Sequence, residues 1–144
     1  MIDGEKDDAT ATIEKYSSTS TCFACGPDNP RGLHLEFKMN ENEEMAAEWT
    51  PDPDLEGYPG IIHGGVISTV LDEAMAKIVA AKGARALTVD LRVRFRRTIV
   101  SRETVVISGW IASSNRHMIR AEAKLTAGDG SELAHGWGTF LGSK

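Results

Sequence analysis

Apolar residues recur along the chain at two periods, and the change from one to the other marks out its elements. Leu33, Leu35, Phe37 and Met39 alternate with polar neighbours, and Met45, Ala47 and Trp49 do so again after the cluster Asn40-Glu41-Asn42-Glu43. Period two on both sides of a turn predicts an antiparallel hairpin. Residues 66–82 contain neither Gly nor Pro, and Ile67, Leu71, Met75, Ile78 and Val79 fall at helical spacing. That predicts a helix of about four to five turns, with Gly83 as its C′ stop. Leu87, Val89, Leu91, Val93 and Phe95 then alternate with Thr88, Asp90, Arg92, Arg94 and Arg96. Three more strand patterns follow at 104–112, 118–126 and 133–141, divided by turn clusters at 113–116 and 128–131. Two strands, one long helix and four strands make an α+β arrangement. The expected form is a curved antiparallel sheet of about five to six strands wrapped around a single central helix.

Composition narrows the class. At 144 residues, 41% hydrophobic and 26% charged, the chain suits a single soluble domain, assigned to residues 21–144. Residues 1–20 are polar, acidic and rich in Ser and Thr, and are expected to be a flexible segment. A net charge of −5 argues against a nucleic-acid partner. No apolar run reaches the ~18 residues of a membrane span, and the acidic N-terminus lacks a basic-then-apolar leader pattern. The expectation is a cytoplasmic protein without a membrane partner.

The chemistry concentrates where the helix starts. Gly57-Tyr58-Pro59-Gly60 leads through a long loop into His63-Gly64-Gly65, directly before the helical run. Glycines there let a ligand approach backbone N–H groups that have no helical partner, at an end carrying roughly half a positive charge. Such a site suits an anion or a carbonyl oxygen becoming one. Asp72 lies seven residues after Gly65, within about 20° of the same face but about 10 Å further along the axis. One carbonyl cannot touch both on one helix. If both act on one substrate, a second copy must supply one of them, which predicts a homodimer with shared sites.

Three blocks carry a resemblance. YPGIIHGGVISTVLDEAM, with Asp72 nine residues after His63, is similar to the signature of hotdog-fold acyl-CoA thioesterases of the phenylacetate-pathway type. CFACGPDNPRGLHLEF resembles the N-terminal segment of a subgroup of that superfamily, and TVDLRVRF resembles the strand after its helix. The resemblance implies the hotdog fold, hydrolysis of an acyl-CoA thioester to acid and coenzyme A, and a homodimer or a dimer of dimers. It implies Asp72 as nucleophile or general base, Gly65 as the amide donor to the thioester oxygen, His63 as an orienting residue and Thr88 as a positioner of water or substrate. Gly64, Glu73, Phe95, Asn115 and Arg116 are the expected substrate contacts, with Glu73 the fallback carboxylate. Some relatives have Asn or Gln about six or seven residues before the His; here Gly57 and Glu56 stand there. Arg92, Arg94 and Arg96 form a stripe suited to coenzyme A phosphates or to a solvated face. His34 and His135 receive no role.

Cys22 and Cys25 form a CxxC, but no further Cys or His pair completes the roughly four ligands of a zinc site. They are assigned to a structural turn, with no metal and no cofactor required. A hotdog hydratase, an acyl-CoA-binding module without turnover and a CxxC metal-binding interaction protein are the alternative readings.

Overall fold

The computed structural model describes residues 20–143. All of the flexible segment expected over residues 1–20 except Ser20 lies outside them. Six strands, β1 (Lys38–Met39), β2 (Met45–Trp49), β3 (Arg85–Phe95), β4 (Val105–Ser114), β5 (Met118–Thr126) and β6 (Glu132–Ser143), form one antiparallel sheet in the order β1-β2-β4-β5-β6-β3. A single helix, α1 (Gly64–Ala81), packs on one face. The connection through α1 carries the chain from β2 to the far edge of the sheet, where β3 pairs along its whole length with β6.

The helix buries the residues that its periodicity marks. Val70, Leu71, Ala74, Met75 and Ile78 are fully enclosed against Ile107, Ala123, Leu125 and Phe140 of the sheet. A Cβ at Gly109 would come within 2.8 Å of the Ala74 carbonyl oxygen, so a bare backbone at that point lets α1 lie directly on β4. The helix ends as expected. Gly83 adopts φ 83°, its amide bonds the Ala80 carbonyl at 2.9 Å, and the Ala84 amide bonds that of Val79 at 3.3 Å, a Schellman close.

Two boundaries differ from the pattern. The first strand shrinks from the expected 33–39 to β1, because the amides of Leu33 and Leu35 bond the carbonyls of Phe23 and Ala24 in the CxxC loop and His34 takes φ 53°. Alternation therefore marked burial of Leu35 but not pairing with β2. The helix starts two residues before the expected Val66, because His63 caps it.

Candidate active site

The loop before α1 is held by local backbone bonds: the Gly57 amide donates to Ile61 O (2.8 Å), and the His63 amide to Leu55 O (3.0 Å). His63 then takes the N-cap position with extended backbone (φ −59°, ψ 135°), and its Nδ1 accepts from the Gly65 amide at 2.9 Å. The amides of Val66 and Ile67 both reach the His63 carbonyl. Of the first-turn donors, this leaves the Gly64 amide without a partner among the described residues. The expectation that Gly65 presents a free N–H is thus altered by the His63 ring, which occupies that donor. Sequence alone gives no sign of this, since histidine is not among the preferred N-caps.

Gly64 opens onto a groove of about 580 Å³. Tyr58, Ile61, Ile67 and Ile99 give it apolar walls, Phe95 stands beside Gly64, and Arg96 and Arg97 also line it. A Cβ at Gly64 would touch the Phe95 ring at 3.4 Å, so the glycine keeps the amide open beside that ring. Phe95 is 52% exposed, consistent with an apolar contact for a ligand. Tyr58, Ile61 and Ile99 were not singled out from the sequence, where no chemical signal separates them from other loop residues.

Asp72 is half-buried two turns further along α1, and Thr88 Oγ1 donates to its Oδ1 at 2.8 Å. Burial pushes the Asp72 carboxyl above its ordinary value, and the Thr88 hydroxyl only partly offsets this. Gly64 and Asp72 are eight residues apart, about 12 Å along the helix axis. The chain therefore brings Asp72 to Thr88, and Gly64 to Phe95 and His63, but the two groups lie apart.

The remaining expected contacts are elsewhere. Glu73 turns towards Cys22, Cys25 and Lys77 instead of the groove. Asn115 Oδ1 accepts from the amides of His117 (3.1 Å) and Met118 (2.9 Å), closing the β4–β5 turn, with Arg116 exposed at its tip. Arg92 stacks over Trp137 at 4.8 Å and Arg96 pairs with Glu132 at 2.6 Å, so two of the three stripe arginines already have partners. Glu56 accepts from the Ser101 hydroxyl at 2.6 Å, which holds its carboxyl below the ordinary value. His135 lies between Glu122 and Glu132 at 2.8 and 2.9 Å on the sheet face away from α1.

A family profile described as the thioesterase superfamily matches residues 59–134, which span the groove loop, α1 and most of the sheet. The chain belongs to the thioesterase superfamily. Its curated relatives in this superfamily include the acyl-coenzyme A thioesterase THEM4 of Bos taurus, 28% identical over 96 residues, covering 66% of this chain and 39% of that protein. The chain therefore spans well under half the length of that relative. Among solved structures, the thioesterase superfamily protein RHA08564 superposes with a TM-score of 0.83 at 22% identity, over 90% of this chain and 67% of that one. A Streptococcus pneumoniae TIGR4 thioesterase protein solved with coenzyme A gives 0.70 at 16% identity, over 76% and 88%. At these identities the likeness is one of fold, and it agrees with the hotdog arrangement expected of one helix on a six-stranded antiparallel sheet. Two further structures of the S. pneumoniae protein are alanine variants, at an aspartate and at a threonine sixteen positions later.

Proposed function

We propose that the protein hydrolyses an acyl-CoA thioester to a free acid and coenzyme A. The observation that carries this reading is the pairing of Asp72 with Thr88 on a desolvated helix face, in a chain of the thioesterase superfamily with a free amide at the mouth of an apolar groove. The aspartate and threonine altered in the S. pneumoniae relative have the same sixteen-residue spacing as Asp72 and Thr88. That relative's coenzyme A complex and the name of THEM4 support the substrate class.

In this mechanism the thioester oxygen accepts from the Gly64 amide, and the positive end of α1 stabilises the charge that develops there. The Asp72 carboxylate either takes a proton from the attacking water or attacks the carbonyl carbon itself, and in the second case water hydrolyses the resulting mixed anhydride to the acid and restores the carboxylate. The C–S bond then breaks, and the thiolate of coenzyme A leaves and takes up a proton. Thr88 fixes the carboxylate rotamer. The apolar groove walls suit an aryl or medium-chain acyl group.

About 12 Å separates Gly64 from Asp72, and hydrogen-bond reach is about 3 Å. A complete site therefore joins Gly64 of one protomer to Asp72 of its partner in a homodimer. β3 supports that assembly: it is an edge strand of eleven residues, with Val89, Leu91 and Phe95 exposed. A long apolar edge of this kind is a template for pairing with a second copy.

The test is a panel of aryl- and medium-chain acyl-CoA esters assayed for free thiol. Release that saturates with substrate is expected. Folded protein that binds acyl-CoA but releases no thiol above background would instead make it a binding module.

A further inference from the structure

Two thiols alone are too few to hold a metal, but the fold brings a third donor to them. Glu73, the residue after Asp72 on α1, faces the CxxC turn. The Sγ atoms of Cys22 and Cys25 and a carboxylate oxygen of Glu73 lie within 4.8 Å of one another, all on half-buried residues. Donors bound tetrahedrally at about 2.0–2.3 Å from one ion stand about 3.5–3.8 Å apart. The cluster therefore closes on an ion with shifts of about an ångström, within the freedom of side chains that still touch solvent.

The backbone around Cys22 is already shaped for a thiolate. Gly26 donates its amide to the Cys22 carbonyl at 2.8 Å, and a Cβ at Gly26 would collide with backbone atoms of Cys22 and Ser20. This tight turn points the amides of Cys25 and Ala24 at the Cys22 sulfur. Lys77 Nζ stands 3.8 Å from Glu73. Two thiolates and one carboxylate against one ammonium would leave a surplus of two negative charges. A divalent cation brings the same sum to zero.

We propose that Cys22, Cys25 and Glu73 bind a thiophilic divalent cation of the zinc class, with water in the fourth position. The ion would tie the 22–26 turn to the helix that bears Asp72. The three-donor set with an open position is one that zinc accepts, and binding would release the thiol protons. This is independent of the thioesterase reading, and loss of either leaves the other standing.

The experiment is a cobalt(II) titration of the reduced full chain after removal of metal with a chelator. Expected are saturation at one ion per chain, thiolate-to-cobalt charge-transfer absorption, and displacement by equimolar zinc. Cys22→Ser should abolish the charge-transfer band. Glu73→Gln, which leaves both thiols in place, should weaken binding by at least about tenfold, the loss typical when even a supporting group of a metal site is removed. The proposal is overturned if reduced, folded wild-type chain gives no charge-transfer band with equimolar cobalt. It is equally overturned if Glu73→Gln binds as tightly as wild type, or if the two cysteines are found joined in a disulfide that resists reductant.

Discussion

Thr88 Oγ1 donates to Asp72 Oδ1 across 2.8 Å, joining β3 to the helix. The contact depends on a bulge: Thr88 is opposite Phe140, yet Asp90 is opposite Thr139, so Val89 has no partner of its own. Strict alternation would put Thr88 on the face of Arg92 and Arg94. The extra residue reverses the phase and turns Thr88 inwards with Phe140. The hydroxyl stabilises the charged form of a carboxylate that burial disfavours. Thr88→Val should therefore raise the Asp72 pKa further. In the proposed mechanism the carboxylate is the reacting form, so kcat/KM should rise with pH through that pKa, and the acid limb of the profile should move to higher pH in the variant. An unchanged limb would remove Asp72 from the chemical step.

Asp72→Asn should lower kcat at least about a hundredfold while acyl-CoA still binds, because the proposed mechanism uses the group in the transition state. Its effect on stability has the opposite sign. The folded pKa of Asp72 is raised, so its stabilising contribution is fully present below the unfolded value of about 3.9 and is lost as pH rises through the folded value. At neutral pH the native charge is a cost that the amide removes. Thermal unfolding at neutral pH should show an Asn variant at least as stable as wild type, with the difference shrinking in acid.

Gly64→Pro removes one N–H. Gly64 is the first residue of α1, where proline is favoured, and His63 has the extended backbone that a following proline requires. The substitution deletes a donor that has no partner among the described residues, and its added Cβ rests in contact with the exposed Phe95 ring at 3.4 Å. If that donor holds the oxyanion, kcat should fall by about 10²–10³ with Tm little changed. Retained turnover in a folded variant would move the oxyanion site elsewhere.

His63 acts in the fold as the cap of α1. His63→Ala should cost about 0.5–2 kcal/mol of stability, and His63→Asn should restore most of it, as denaturant unfolding would show. If Asn restores stability but not turnover, the ring has a role beyond capping.

Much of this was legible in the chain. The helix, its glycine stop and the succession of strands along the chain follow from hydrophobic period and turn residues, because these report burial directly. The spacing from Gly65 to Asp72 already shows that one carbonyl cannot reach both on one helix. What stayed hidden depended on side chains from distant segments. His63 occupying the Gly65 amide, Val89 reversing the strand phase, and Glu73 meeting Cys22 and Cys25 are each decided by a partner that local pattern does not name. The 33–37 stretch misled for the same reason: its alternation is real, but its hydrogen bonds go to the CxxC loop.

The central claim is that each active site draws Gly64 from one protomer and Asp72 from the other. Mixing Gly64→Pro chains with Asp72→Asn chains tests it most directly, because every homodimer in the mixture is inactive. A mixed dimer keeps one unaltered Gly64 on the Asp72→Asn chain and one unaltered Asp72 on the Gly64→Pro chain, which together form one intact site. Thiol release by isolated mixed dimers should recover to about half the wild-type rate per dimer, on the basis that the two sites act independently. Mixed dimers that form and stay folded but remain as inactive as either parent would contradict the shared site.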